Sequence, residues 1–123
     1  MLSWLRTRQK ARVEEHWAPL LRFIDEQDGP PERDLKALWA GVLSQTPGVT
    51  RAFLARAVAG ADAMPNVMLC ICPRIHEPHA LVQQLAGPFR ARFGADQHLD
   101  VVFLDAAQEA DVAKVAKPFF SAT

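Results

Sequence analysis

Residues 66–104 read NVMLCICPRIHEPHALVQQLAGPFRARFGADQHLDVVFL, and the rest of the chain is organised around them. From Val67 to Cys72 nearly every position is apolar, the pattern of a strand covered on both faces. Residues 99–104 repeat it. Between the two runs, Leu81, Val82, Leu85, Ala86, Phe89 and Phe93 fall on one helical stripe. The order is therefore strand, helix, strand. Two strands joined through a helix of this length lie parallel with a right-handed crossover, because strand twist and helix hand leave little alternative.

Working outward, VTRAFLARAVA at 49–59 has alanines and arginines that suit a helix, but Gly48 before it and Gly60 to Pro65 after it bound it like a hairpin arm. It reads as a strand antiparallel to the one that starts at Asn66. Upstream, Asp28-Gly29-Pro30-Pro31 is a turn, with Pro31 suited to the first turn of a helix. That helix runs to about Gln45 on a stripe of Leu35, Leu38, Trp39, Val42 and Leu43, and Pro47-Gly48 stops it. Downstream, Asp105 with Gln108 three residues on is a capping-box start. Its packing face is either Ala110, Ala113 and Ala116 or Val112, Val115 and Ala116, and Pro118 ends it. Residues 3–18 read as a polar helix with Ser3 as N-cap, broken at Pro19. The expected architecture is an α+β two-layer domain over residues 31–123, preceded by a helical segment over 1–30. Its small mixed sheet has about three strands, a hairpin plus the βαβ unit, covered by helices.

The 123 residues have room for one domain, and 50% hydrophobic content with mean hydropathy near zero fits an ordinary globular protein. Fourteen basic and 14 acidic residues cancel, so no net field attracts nucleic acid. Both cysteines lie two apart on one strand, a geometry that disfavours a disulfide between them and suits a reducing compartment. MLSWLRTRQKAR carries charge without an apolar run, so neither a signal peptide nor a spanning helix is expected and the cytoplasm is the expected location.

Three segments carry a family resemblance: the helix ending at Pro47 with the following GVTRAFLA, the strand PNVMLCI, and HLDVVFLDAAQEADVAKVAKPFF with its closing Pro-Phe-Phe. Together, over residues 31–120, they resemble the C-terminal domain of the enhanced-serine-sensitivity (SseB-type) bacterial proteins. The shared pattern is mostly hydrophobic spacing with turn residues. The resemblance implies the α+β fold and carries over no catalytic site. Larger members of that family have an additional N-terminal domain, in whose place about 30 residues precede the match here.

The sharpest local constellation is Cys70, Cys72, His76 and His79, a C-x-C-x3-H-x2-H set of ligands of the type that closes a tetrahedral zinc site. Structural zinc sites place their cysteines on turns, however, and a free cysteine inside an apolar strand behaves as a small hydrophobe. A second candidate is a ligand crevice at the carboxyl ends of the parallel strands, where Arg74, His76, Glu77 and His79 would face Asp105. A helix beginning near Pro78 offers amides to an anion. Against it, no glycine-rich loop is present, both carboxylates repel an anion, and Glu77 and Asp105 serve equally as helix caps.

Catalysis finds less support. Glu14, Glu15, Asp25 and Glu26 read as a solvated face, no Ser-His-Asp signature is visible, and an apolar strand raises a thiol's pKa. Arg6, Arg8, Lys10 and Arg12 alternate beside Trp4 without enough apolar residues for a membrane anchor. The apolar load of Trp17, Leu20, Leu21, Phe23 and Ile24 exceeds what a three-stranded sheet covers, and it marks an interface. The expected function is a non-catalytic protein-interaction module without cofactor, nucleic acid or membrane, with a protein partner or self-association. The alternative is a small-ligand or metal-binding protein using residues 74–79 and Asp105.

Overall fold

The computed structural model describes the backbone of residues 12–16 and all of residues 21–60, 64–73, 75, 78–93 and 98–122. The chain runs β1 (Arg12–His16), β2 (Leu21–Glu26), α1 (Pro30–Ser44), β3 (Arg51–Ala59), β4 (Asn66–Cys72), α2 (Pro78–Phe93), β5 (His98–Phe103), α3 (Ala106–Ala113) and β6 (Phe120–Ser121). The α+β class expected from the sequence is what the structure shows. β3 and β4 form the antiparallel hairpin, and β4 and β5 are parallel neighbours joined through α2.

The sheet is larger than expected. Five strands lie in the order β1-β5-β4-β3-β2, and β6 pairs with β3. β2 and β6 share one edge of β3: β2 is antiparallel to its second half, from Leu21↔Ala59 to Glu26↔Ala55, and β6 pairs with Arg51 and Ala52. β1 lies at the far edge, parallel to β5. The helical reading of 1–30 is thereby corrected at 12–16 and 21–26, which are strands; residues 1–11 and 17–20 lie outside the described residues. The reason is tertiary. A bare edge of β3 or β5 presents a row of unpaired amides and carbonyls, and pairing with it outweighs the modest helix preference of a short polar segment.

Period-two alternation splits the strands' side chains between two cores. Leu54, Leu69, Ile71, Leu99 and Val101 join Leu35, Trp39 and Leu43 of α1 and Leu81, Val82, Leu85 and Phe89 of α2. Phe53, Ala55, Ala57, Met68, Cys70, Cys72 and Val102 face the other way, where α3 adds Val112 and Ala116. Helices thus lie on both faces, which adds a partial third layer to the two expected. Of the α1 stripe, Leu35, Trp39 and Leu43 are fully buried while Leu38 is exposed.

Pro88 lies inside α2. A proline there removes an amide and crowds the carbonyls one turn back. The indole Nε1 of Trp39 donates to the Leu85 carbonyl at 2.9 Å, which ties α1 to α2 at that turn.

Candidate functional site

Of the residues singled out for ligand chemistry, the structure describes Asp105, just past the end of β5, and His79. Asp105 is exposed and caps α3: its Oδ1 accepts from the Gln108 amide at 2.8 Å, and the Gln108 side chain accepts from the Asp105 amide at 3.1 Å. The capping role is the one the structure shows. His79 is exposed in the first turn of α2, while Arg74, His76 and Glu77 lie outside the described residues.

Cys70 and Cys72 are buried free thiols on the α3 side of the sheet, whereas α2, which carries His79, packs against the opposite face. Among the described residues no cluster of three or more His, Cys, Asp or Glu side chains gathers around a point. Burial pushes the Cys70 thiol well above its ordinary range, and neighbouring Cys72 adds to this. Burial likewise pushes Cys72 up to about 12, with the Glu109 carboxylate adding and Arg51 opposing. Arg51 and Glu109 close over this end of β4, Nη1 to Oε2 2.6 Å. A protonated, covered thiol is neither a nucleophile nor a ready metal ligand.

The outer edge built by β2 is different. Register shifts by one residue between Phe23 and Asp25, so Ile24 sits in a bulge. Leu21 and Phe23 pack against the second core yet stay partly exposed, as does Ile24; Trp17 and Leu20 lie outside the described residues. Charged pairs fringe this edge. Arg56 meets Asp25 through two bonds of 2.8 Å, and this pairing holds the Asp25 carboxyl below its usual range. Lys36 Nζ bridges Glu26 and Asp28, each at 3.1 Å. Burial pushes Asp28 up, but Lys36 and Arg33 more than offset it, and the net shift is downward. Glu26 also accepts from the Lys117 amide at 3.0 Å, which fastens β2 to the segment leading into β6. Among the described residues β2 pairs with β3 alone.

Two features escaped the sequence reading. His98 and Asp100 are buried in β5, Nε2 to Oδ1 2.6 Å. Their signal was available, since polar residues two apart in a strand share a face. The other is an open groove of about 570 Å³ between the α1–β3 turn and β6, lined by Leu43, Thr46, Pro47, Val49 and Phe120 among others. Its lining includes none of the candidate ligand, metal or interface residues and no charged side chain. Among the described residues no helix is long and apolar enough to cross a membrane. No family model, curated protein or solved structure matches the chain.

Proposed function

We propose that this chain is a non-catalytic cytoplasmic module that works by protein contact, with self-association or another protein as its means, and that it resembles the C-terminal SseB-type domain. One observation carries the reading: Leu21, Phe23 and Ile24, from the segment singled out as an interface by its apolar load, lie partly exposed in β2, an outer strand of the sheet. Outer strands are where a further chain pairs. The bulge at Ile24 and the fringe of paired charges limit indiscriminate pairing along β2.

Sedimentation velocity over a concentration series tests it, with Ile24→Lys on β2 and Glu15→Pro on β1 as variants. Association weakened by either substitution, with far-UV circular dichroism unchanged, is the expected result. A strictly monomeric protein removes the self-association part, and association indifferent to both variants removes the sheet edges.

A second reading, a small-ligand or metal-binding protein using residues 74–79 and Asp105, is supported by the parallel pairing of β4 with β5, which sets the carboxyl end of β4 and that of β5, next to Asp105, at one end of the sheet. Zinc titration followed by thermal melting tests it, with His76 and His79 replaced together. A shift lost in the double variant without loss of fold favours it, and no shift in the unmodified protein ends it.

A further inference from the structure

Side chains three apart on a regular strand point to opposite faces of a sheet, because the pleat repeats every two residues. In β2 the bulge at Ile24 changes this. Arg22 pairs with Val58 and Asp25 with Arg56, and both partners alternate with Ala55, Ala57 and Ala59 along β3. Arg22 and Asp25 therefore stand on one face, that of Leu54 and α1, in keeping with the two bonds from Arg56 to Asp25. Leu21 and Phe23 stand on the other face, against the second core, and Glu26 opposite Ala55 shares it.

A two-fold axis perpendicular to a sheet reverses a strand but keeps each side chain on its own face. For β2 to pair antiparallel with its own copy, residues opposite each other must share a face. An axis between Phe23 and Ile24 meets that condition because of the bulge. It sets Arg22 of each copy opposite Asp25 of the other, and Phe23 opposite Ile24. Centring on Arg22 or on Asp25 would set like charges against each other, and centring on Phe23 would oppose Leu21 and Asp25, which lie on different faces.

The charges fit the same register. Arg22 is exposed and has no ion-pair partner among the described residues. Asp25 is half exposed even with Arg56 bound, and a carboxylate has acceptor sites for a second guanidinium. We propose that β2 seats a two-fold dimer, in which it pairs antiparallel with β2 of a second copy and each Arg22 meets the other copy's Asp25. This pairing rests on the protein-contact reading above and adds to it the partner, a second copy, and the register. Phe23 and Ile24, both partly exposed in one chain, cover each other across the axis. At the two ends Leu21 lies opposite Glu26, whose carboxylate keeps its bonds to Lys36 and the Lys117 amide. A strand without an insertion falls out of step with β2 at Ile24, whereas a second β2 brings the same insertion to the same place.

Sedimentation velocity of the full chain over a concentration series tests this with two charge variants. Arg22→Asp sets acid against acid at both contacts. Asp25→Arg/Arg56→Asp sets base against base at both contacts while keeping an ion pair between β2 and β3. The unmodified protein is expected to form a dimer that weakens with added salt, and either variant to raise its dissociation constant about ten-fold or more. Mixing the two variants should restore association, because each then meets the opposite charge. Mixing that restores nothing, with far-UV circular dichroism unchanged in both, overturns the register. A dimer indifferent to Arg22→Asp overturns pairing through β2 while association through another surface stands. A monomer at every concentration overturns self-pairing and leaves contact with a different protein. Should the double variant not fold, Arg22→Asp decides: weakened association supports the pairing, and unchanged association overturns it.

Discussion

Cys70 and Cys72 are buried free thiols, and burial pushes the pKa of both upward. An unfolded thiol ionises near its ordinary value of 9.0, whereas Cys72 in the fold holds its proton to about 12 and Cys70 is also shifted up. The folded state therefore binds more protons than the unfolded state above pH 9. This contribution to stability is complete below pH 9 and is lost as pH rises from about 9 towards 12. Urea titrations of the wild type and of a Cys70→Ala/Cys72→Ala variant at pH 7, 9 and 10.5 should show a steeper alkaline loss in the wild type. Native-state alkylation at pH 8 should proceed no faster than unfolding, and rapid labelling of either thiol would contradict the burial. Asp105→Ala removes the α3 cap and should cost about 1 kcal/mol, read as a lower melting temperature. That cap was legible, because Asp and Gln at this spacing is a local signal that needs no tertiary partner. The His98–Asp100 pair is equally local, but the apolar run around it hides its period-two polar alternation.

At the scale of elements, the α1–α2 contact turns on one donor. Trp39→Phe keeps most of the apolar volume but leaves the Leu85 carbonyl, at the turn disturbed by Pro88, without the indole. A loss of roughly 1–3 kcal/mol in urea unfolding is expected. Trp39→Ala should cost more, about 3–5 kcal/mol, since it also opens a cavity beneath a fully buried side chain. α1, α2 and α3 were legible because each is bounded by Pro, Gly or a capping residue and carries its own period. β2 was not. Leu21, Arg22 and Phe23 begin an alternation, but the bulge at Ile24 interrupts it after three residues, so the period-two signal never accumulates. The stretch 12–16 has no hydrophobic period at all, and only the vacancy beside β5 makes it a strand.

Across the whole molecule, β3 has β4 along one edge and β2 with β6 along the other. Its backbone bonds extend even between those partners, with Gln27 donating to Leu54 and Phe119 to Ala52. Amide exchange followed by NMR should therefore find the β3 amides among the slowest, opening only with global unfolding, and those of Phe119 and Ala122 faster. Exchange from β3 as rapid as from β6 would show that the shared edge opens independently. The hairpin and the βαβ unit were legible because their contacts follow chain order. The outer strands were not, because where they pair depends on which edges the rest of the fold leaves bare.

The placement of β1 beside β5 has a consequence for synthesis. Between His16 and the first residue of β5 the ribosome adds 82 residues (98 − 16), which takes about 8 s at roughly ten residues per second. Through much of that interval residues 12–16 have left the ribosome while their acceptor does not yet exist, and the β3–β4 hairpin is made before β5. The earliest described strand must thus wait to meet one of the latest. On a crowded polysome a neighbouring nascent chain has the same seconds in which to make that meeting first.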